Sequence, residues 1–360
     1  MLAAMGAAVL PGSAYAQSSV TLYGIIDTGV EFVNHIGTAN STVMRVPSIT
    51  GSMPSRWGFR GTEDMGGGLK TVFVLESGFA PNSGTAGQGG RIFGRQAFVG
   101  LANQWGQLSI GRQWNMLFWG TLDSDILGPN VYGAGSLDNY LPNARDDNSI
   151  AYKGSFNGLS VGMTYSFGRD AVNAGPSPSG TNCPGQNPAD SRACREWSAM
   201  LQYSTGQWGV AAVYDSQRGG PGAFAGLTNS SLTDNRLSLS GYAVFGNAKV
   251  GLGLIHRNND GSTTPRSNLW YGGLSYNLTP AITLAGQVYY INFSNSPNNA
   301  IMYAVRGSYA FSKRTSTYIT AGYIQNRGTL AYSVSGGDTG SSPIPGGSQL
   351  GTMIGMKHTF

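Results

Sequence analysis

The feature that most restricts this chain is its repeated two-residue alternation. Leu159, Val161, Met163, Tyr165 and Phe167 alternate with Ser160, Gly162, Thr164 and Ser166. Trp197, Ala199, Leu201 and Tyr203 do the same with Ser198, Met200, Gln202 and Ser204, and so do Ile301, Tyr303, Val305, Gly307, Tyr309 and Phe311 with their neighbours. Period two puts one set of side chains on each face of a strand. Each run is about ten residues long, which a tilted strand needs to cross a bilayer. Aromatic residues gather near the ends of the apolar faces, where interfacial girdles would lie.

Sixteen such runs are predicted, near 18–34, 55–63, 69–80, 91–102, 106–113, 148–154, 159–167, 196–204, 208–217, 235–244, 248–257, 267–277, 281–292, 300–311, 315–326 and 349–360. Short connections such as Asn157-Gly158 and Gly246-Asn247 alternate with long segments rich in Gly, Ser, Asn and Pro. An even count with short turns at one end and long loops at the other reads as an all-β, sixteen-stranded antiparallel transmembrane barrel. Composition agrees: charged residues are only 11%, yet mean hydropathy is −0.14. A bundle of apolar helices would be far more hydrophobic, and a soluble propeller would need repeated blade motifs that are absent from the sequence.

The first residues, MLAAMGAAVLPGSAYAQ, carry an apolar stretch and the small-residue site Ala14-Tyr15-Ala16. They predict an export leader over 1–16, truncated at its start, with the mature chain beginning at Gln17 and one barrel domain over 17–360. In an exported chain Cys183 and Cys194, eleven apart in one loop, predict a local disulfide.

Four stretches resemble the general porins of Gram-negative bacteria, particularly the β-proteobacterial branch: SSVTLYGIIDTGVEF, SRWGFRGTEDMGGGLKTVFVLESGF, GRQAFVGLANQWGQLSIGRQ and DDNSIAYKGSFNGLSVGMTY. The closing GMKHTF adds a terminal aromatic, Phe360. The resemblance implies a homotrimer in the outer membrane, with lipid and lipopolysaccharide around it and Phe360 read by the outer-membrane assembly machinery. It also implies passive diffusion of small hydrophilic solutes and ions, without catalysis, cofactor or nucleic acid. In the family the loop corresponding to 81–90 latches a neighbouring subunit.

A sixteen-stranded barrel is too wide for its own side chains to fill, so selectivity needs a constriction. The longest connection, 114–147, holds Met116, Leu117, Phe118, Trp119, Ile126, Leu127 and Tyr140, which suit packing against an inner wall. Arginines near mid-barrel cannot cheaply face lipid, at about 2–4 kcal/mol each. Arg56 and Arg60 therefore point inward, with Lys70 on the same side, and Arg91 and Arg95 are expected on one face of the fourth strand, with Arg112 and Arg145 nearby. By resemblance Arg56, Arg95 and Arg145 match constriction arginines, whereas Arg306 is read as ordinary pore lining or a surface residue. The opposing acids are expected at Asp123 and Asp125, then Asp138. Here the chain departs from enterobacterial porins, whose third loop carries Pro-Glu-Phe-Gly.

Other motifs carry little. MGGGLK lacks the GK[ST] ending of a phosphate loop, and Asp123-Ser124-Asp125 has no clustered ligands for a metal. The three histidines, His35, His256 and His358, are far apart in such a barrel, which speaks against acid–base catalysis. The alternative reading is a substrate-specific channel, or a receptor or adhesin acting through its outer loops. The net charge of +5 and the arginine cluster predict moderate anion preference.

Overall fold

In a computed structural model, which describes residues 19–172, 180–336 and 340–360, the chain is an antiparallel barrel. The predicted leader and Gln17 lie outside the described residues. Its strands are β1 (Ser19–Ile36), β2 (Ser41–Arg45), β3 (Arg56–Gly66), β4 (Leu69–Gly78), β5 (Gln96–Asn103) and β6 (Gly106–Trp114). They continue with β7 (Arg145–Phe156), β8 (Leu159–Ser166), β9 (Glu196–Ser204), β10 (Trp208–Arg218), β11 (Thr233–Phe245) and β12 (Ala248–Asn259). The last are β13 (Arg266–Asn277), β14 (Ile282–Phe293), β15 (Asn299–Ala310), β16 (Thr315–Arg327) and β17 (Ser348–Thr359).

Sixteen of these form the wall, as the alternation predicts. β1 seals the barrel by pairing with β17, from Ile25 opposite Thr359 to Val33 opposite Gly351. Its other edge is shared: Ser19–Ile25 pair with β3, and Glu31–Ile36 pair with β2. The short β2 was not foreseen. It supplies backbone partners to the part of β1 that rises above β3, which would otherwise be an open edge.

The two faces separate as water and lipid demand. Outward-facing Leu237, Leu239, Leu252, Val305, Ile319 and Ile354 are between 45% and 63% exposed, while inward-facing Asp27, Glu31, Glu76, Ser238 and Gln287 are buried. Aromatic pairs stand at both rims: Tyr203 with Trp208 and Tyr309 with Phe311 near the turns, Tyr165 with Phe167 and Trp197 with Tyr214 near the loops. Amphipathic rings suit that boundary between hydrocarbon and water. The tight turn Asn157-Gly158 has φ of +50° and +87°, the left-handed pair that a two-residue hairpin requires. Among the described residues no helix is long and apolar enough to cross a membrane.

Two predicted boundaries are corrected. The fourth wall strand begins at Gln96, not at 91. Gly89 and Gly90, at φ +76° and +82°, turn the chain just before, so Arg91 and Arg95 lie in an irregular lead-in and do not share a strand face. The sixth begins earlier than expected, at Arg145, so that this arginine opens β7.

Because Val305 faces outward, Val305→Arg should destabilise the barrel by about 2–4 kcal/mol by putting charge into lipid. Ser308→Arg, three residues on and facing the lumen, should change stability by less than about 1 kcal/mol. Urea unfolding in lipid vesicles measures both, and equal losses would refute the assignment.

Candidate pore constriction

The connection between β6 and β7, residues 115–144, folds into the barrel and follows its inner wall. Its root is a short helix, Met116–Thr121, whose first amides on Leu117 and Phe118 donate to the capping Asn115 Oδ1. The Asn115 amide nitrogen reaches Glu196 on β9 and Asp215 on β10, each at 2.9 Å, and Met116 N donates to Ser198 Oγ. Further along, Ser240 Oγ donates to Gly120 O on β11's side, Ser124 meets the Tyr271 hydroxyl at 2.7 Å, and Leu127 N donates to Gln287 Oε1. Tyr132 then packs over Gly322 and Gly351 on β16 and β17. Glycine is needed where the loop presses closest: a Cβ on Gly251 would lie 2.1 Å from Ser124 O. The apolar residues that marked this segment in the sequence behave as read, with Met116, Leu117, Leu127 and Tyr140 buried.

The loop thus lines the wall from β9 round to β17 and does not run along β3 to β7. That wall carries the basic residues, of which Arg95 and Arg145 are themselves largely buried at the chamber's edge. Arg95 Nε donates to Glu76 Oε1 at 2.7 Å, and Arg56 Nε stands 3.6 Å from Glu76 Oε2, which also accepts from the Tyr23 hydroxyl at 3.0 Å. Arg145 has no carboxylate in ion-pair contact among the described residues; its guanidinium lies 3.4 Å from the Trp114 ring centroid. Its Nη1 donates to Pro142 O and Asn143 Oδ1. Arg60 sits over Tyr23 at 5.2 Å, further toward the turns.

Arg112 and Arg91 belong to an outer layer. Strict alternation from lipid-facing Leu108 and Ile110 would send Arg112 outward. Gly111, at φ +134°, and a register shift between Gly111 and Gln113 break the alternation, and Arg112 Nη1 reaches Asp147 at 2.6 Å. Arg91 Nη2 contacts Asp147 at 3.2 Å and Asp170 at 2.5 Å. Asp170 is held in turn by the loop that Cys183 and Cys194 staple, their sulfurs joined and their Cα atoms 5.2 Å apart. Its amide donates to Cys183 O and its Oδ2 accepts from Thr181 N and Asn182 N.

The structure separates several predicted site residues. Lys70 keeps the face of Arg60 but pairs across with Asp64, beside the 66–68 turn and far from the loop. None of the three expected acids touches an arginine of the β3–β7 wall. Asp123 accepts from Gln202, and Asp125 from the Tyr289 hydroxyl and Gly128 N. Asp138 forms a two-pronged pair with Arg236 on β11, at 2.9 and 3.2 Å. Burial pushes the Asp138 carboxyl up, but the Arg236 and Arg257 charges outweigh it and hold it well below the usual carboxylate range. Such a clamp is at full strength above the unfolded value of about 4 and is lost only as pH falls through the lower folded value. Arg306, read as simple lining, is a second clamp: its guanidinium donates to Leu127 O on the loop and to Gly51 O on the segment after β2.

Glu76, Trp114 and Arg236 were missed by sequence reasoning. The signal for Glu76 was available, because Glu76, Val74, Val72 and Lys70 share the face of Arg56 and Arg60 by parity alone. Arg236 had no such signal, since only the loop's path brings Asp138 to it.

The loop and the arginine wall bound a chamber of about 390 Å³, with Arg95 and Arg145 on one side and Asp125, Pro129 and Asn130 on the other. Residues 86–90 line it too, so that in this chain the segment after β4 folds back over its own pore mouth. Ser136 Oγ also donates to Val334 O, bringing the last outer loop against the inner one.

A sequence model described as Gram-negative porin matches residues 2–329. An outer membrane porin protein of Bordetella pertussis is 35% identical over 299 residues, covering 79% of this chain and 73% of that protein. Among solved structures, an anion-selective porin from Comamonas acidovorans superposes with a TM-score of 0.76 at 22% identity, over 96% of this chain and 100% of that one. An outer membrane protein of Vibrio cholerae solved in trimer form gives 0.66 at 16% identity, over 95% and 99%.

Asp138→Asn should loosen the loop by about 3 kcal/mol, because it breaks a buried pair. Limited proteolysis in detergent checks this: cleavage within 115–144 should accelerate while the barrel stays intact. Unchanged cleavage would mean that the clamp does not hold the loop.

Proposed function

The chain belongs to the Gram-negative porin family, and from that premise we propose that its pore prefers anions and that Arg145, with Arg56 and Arg95, sets the preference. A porin is a water-filled channel of the cell outer membrane through which small hydrophilic solutes and ions diffuse down their gradients. Its work is passage, so no catalysis or cofactor is assigned to it. The observation that carries the anion reading is an imbalance: Arg56 and Arg95 share one carboxylate, Glu76, Arg145 beside them pairs with none among the described residues, and the acids of the facing loop are occupied elsewhere. Fixed positive charge in a narrow, partly desolvated passage raises the local concentration of anions and repels cations. The solved Comamonas acidovorans porin, described as anion-selective, has the same fold.

Arg60 and Lys70 extend the positive field toward the periplasmic turns, and Arg91 and Arg112 lie partly neutralised at the outer mouth. Asp123, Asp125 and Asp138 act as anchors of the constricting loop in this reading, not as the facing pole of a transverse field. We also propose a homotrimer. Trp57, Phe59 and Phe93 form an outward aromatic cluster, with centroid separations of 5.8 and 6.2 Å, suited to a neighbouring subunit. Phe360, whose backbone pairs reciprocally with Gly24 at the barrel seam, is assigned the assembly signal.

Reversal potential across a salt gradient in a planar bilayer tests the selectivity. The wild type should favour anions, and Arg145→Gln should lower the anion-to-cation permeability ratio by roughly threefold or more, about 0.7 kcal/mol of lost attraction. Glu76→Gln should move the ratio the opposite way, because it frees Arg56 and Arg95. Cation selectivity in the wild type, or variants that shift the ratio in one common direction, would overturn the assignment.

A further inference from the structure

We propose that the constriction chamber is a binding site for small aromatic carboxylates, which the pore passes in preference to compact anions. This rests on the anion reading above and goes further, to a class of organic solute. The chamber's basic side is Arg95 and Arg145. Its other lining is unexpectedly apolar for a wet channel: Phe79 and Phe118 border it, and Leu122 on the constricting loop is 43% exposed. A leucine held open toward pore water gains nothing from its surroundings unless an apolar solute covers it.

Phe118 stacks on Trp114 with centroids 3.6 Å apart and planes 12° apart, and the Arg145 guanidinium lies on the same Trp114 ring. Trp114 is covered by these two neighbours, so Phe118 and Leu122 are the apolar lining that a solute meets. A flat ring on Phe118 and Leu122 lies in the same chamber as Arg95 and Arg145, so both halves of an aryl carboxylate find a partner there. Acetate satisfies only the charged half. The volume, about 390 Å³, lies at the small end of the range of about 300 to 1,000 Å³ for ligand sites, enough for a single-ring acid with water to spare. Both contacts are weak and reversible, as a transport site requires if its solute is to leave.

Chloride current through the full-length protein in a planar bilayer, titrated with benzoate or with acetate, tests the proposal. Benzoate should reduce the current with saturation, at a half-blocking concentration about tenfold below that of acetate. Leu122→Ser should raise the benzoate value by about threefold to tenfold while the acetate value on the same variant stays put. Benzoate and acetate acting alike, or Leu122→Ser shifting both equally, would overturn the aromatic site and leave the anion channel standing. A current that is not anion-selective at all would instead overturn the reading beneath it.

Discussion

Hydrocarbon accepts no unpaired backbone amide, and most of this structure follows from that one requirement. Sixteen strands must close on themselves, so β1 is obliged to find β17, and the stretch of β1 that outruns β3 is covered by β2. Closure at sixteen strands leaves an interior too wide for wall side chains to fill. The long connection after β6 therefore has a water-filled space to occupy, and its path is fixed by polar anchors on one strand after another from β9 to β15.

That path creates the asymmetry on which the proposed selectivity rests. By covering the wall from β9 to β17, the loop leaves the β3–β7 side of the chamber to Arg95 and Arg145, which border it while largely buried. Its own acids are spent on docking, Asp138 most tightly, because a buried carboxylate must be paired. The arginines in turn are held by one glutamate and one tryptophan: two sit in an ion-paired triad and the third on an aromatic face. Position and neutralisation are thus separate: Arg112 and Arg91 lie close by but give most of their charge to Asp147 and Asp170.

Much of the architecture was legible in the sequence because lipid on one side and water on the other imprint a two-residue period that no other environment produces at this length. Leu239 and Ile319 declared their face by alternation alone. The parts that were not legible are those where alternation stops. Gly89 and Gly90 turn Arg91 and Arg95 out of a strand that apolar pattern had extended over them. Arg112 depends on the backbone of Gly111, and the partners of Asp123, Asp125 and Asp138 depend on a loop whose course has no period. Local rules read strands well; they do not say which strand a 30-residue loop will lean on.

The seam between β1 and β17 joins the two wall strands most distant in the chain, with Ile25 beside Thr359. Neighbouring hairpins such as β7–β8 can form as soon as they emerge, but this last pairing cannot begin until both ends are present together. Until then a sheet with two open, apolar-faced edges exists, and such edges adhere to any strand they meet. The fold is therefore an all-or-nothing ring, and its final act is the meeting of strangers. Closing the ring within lipid gives its apolar outer face a partner at the moment that the last edges disappear.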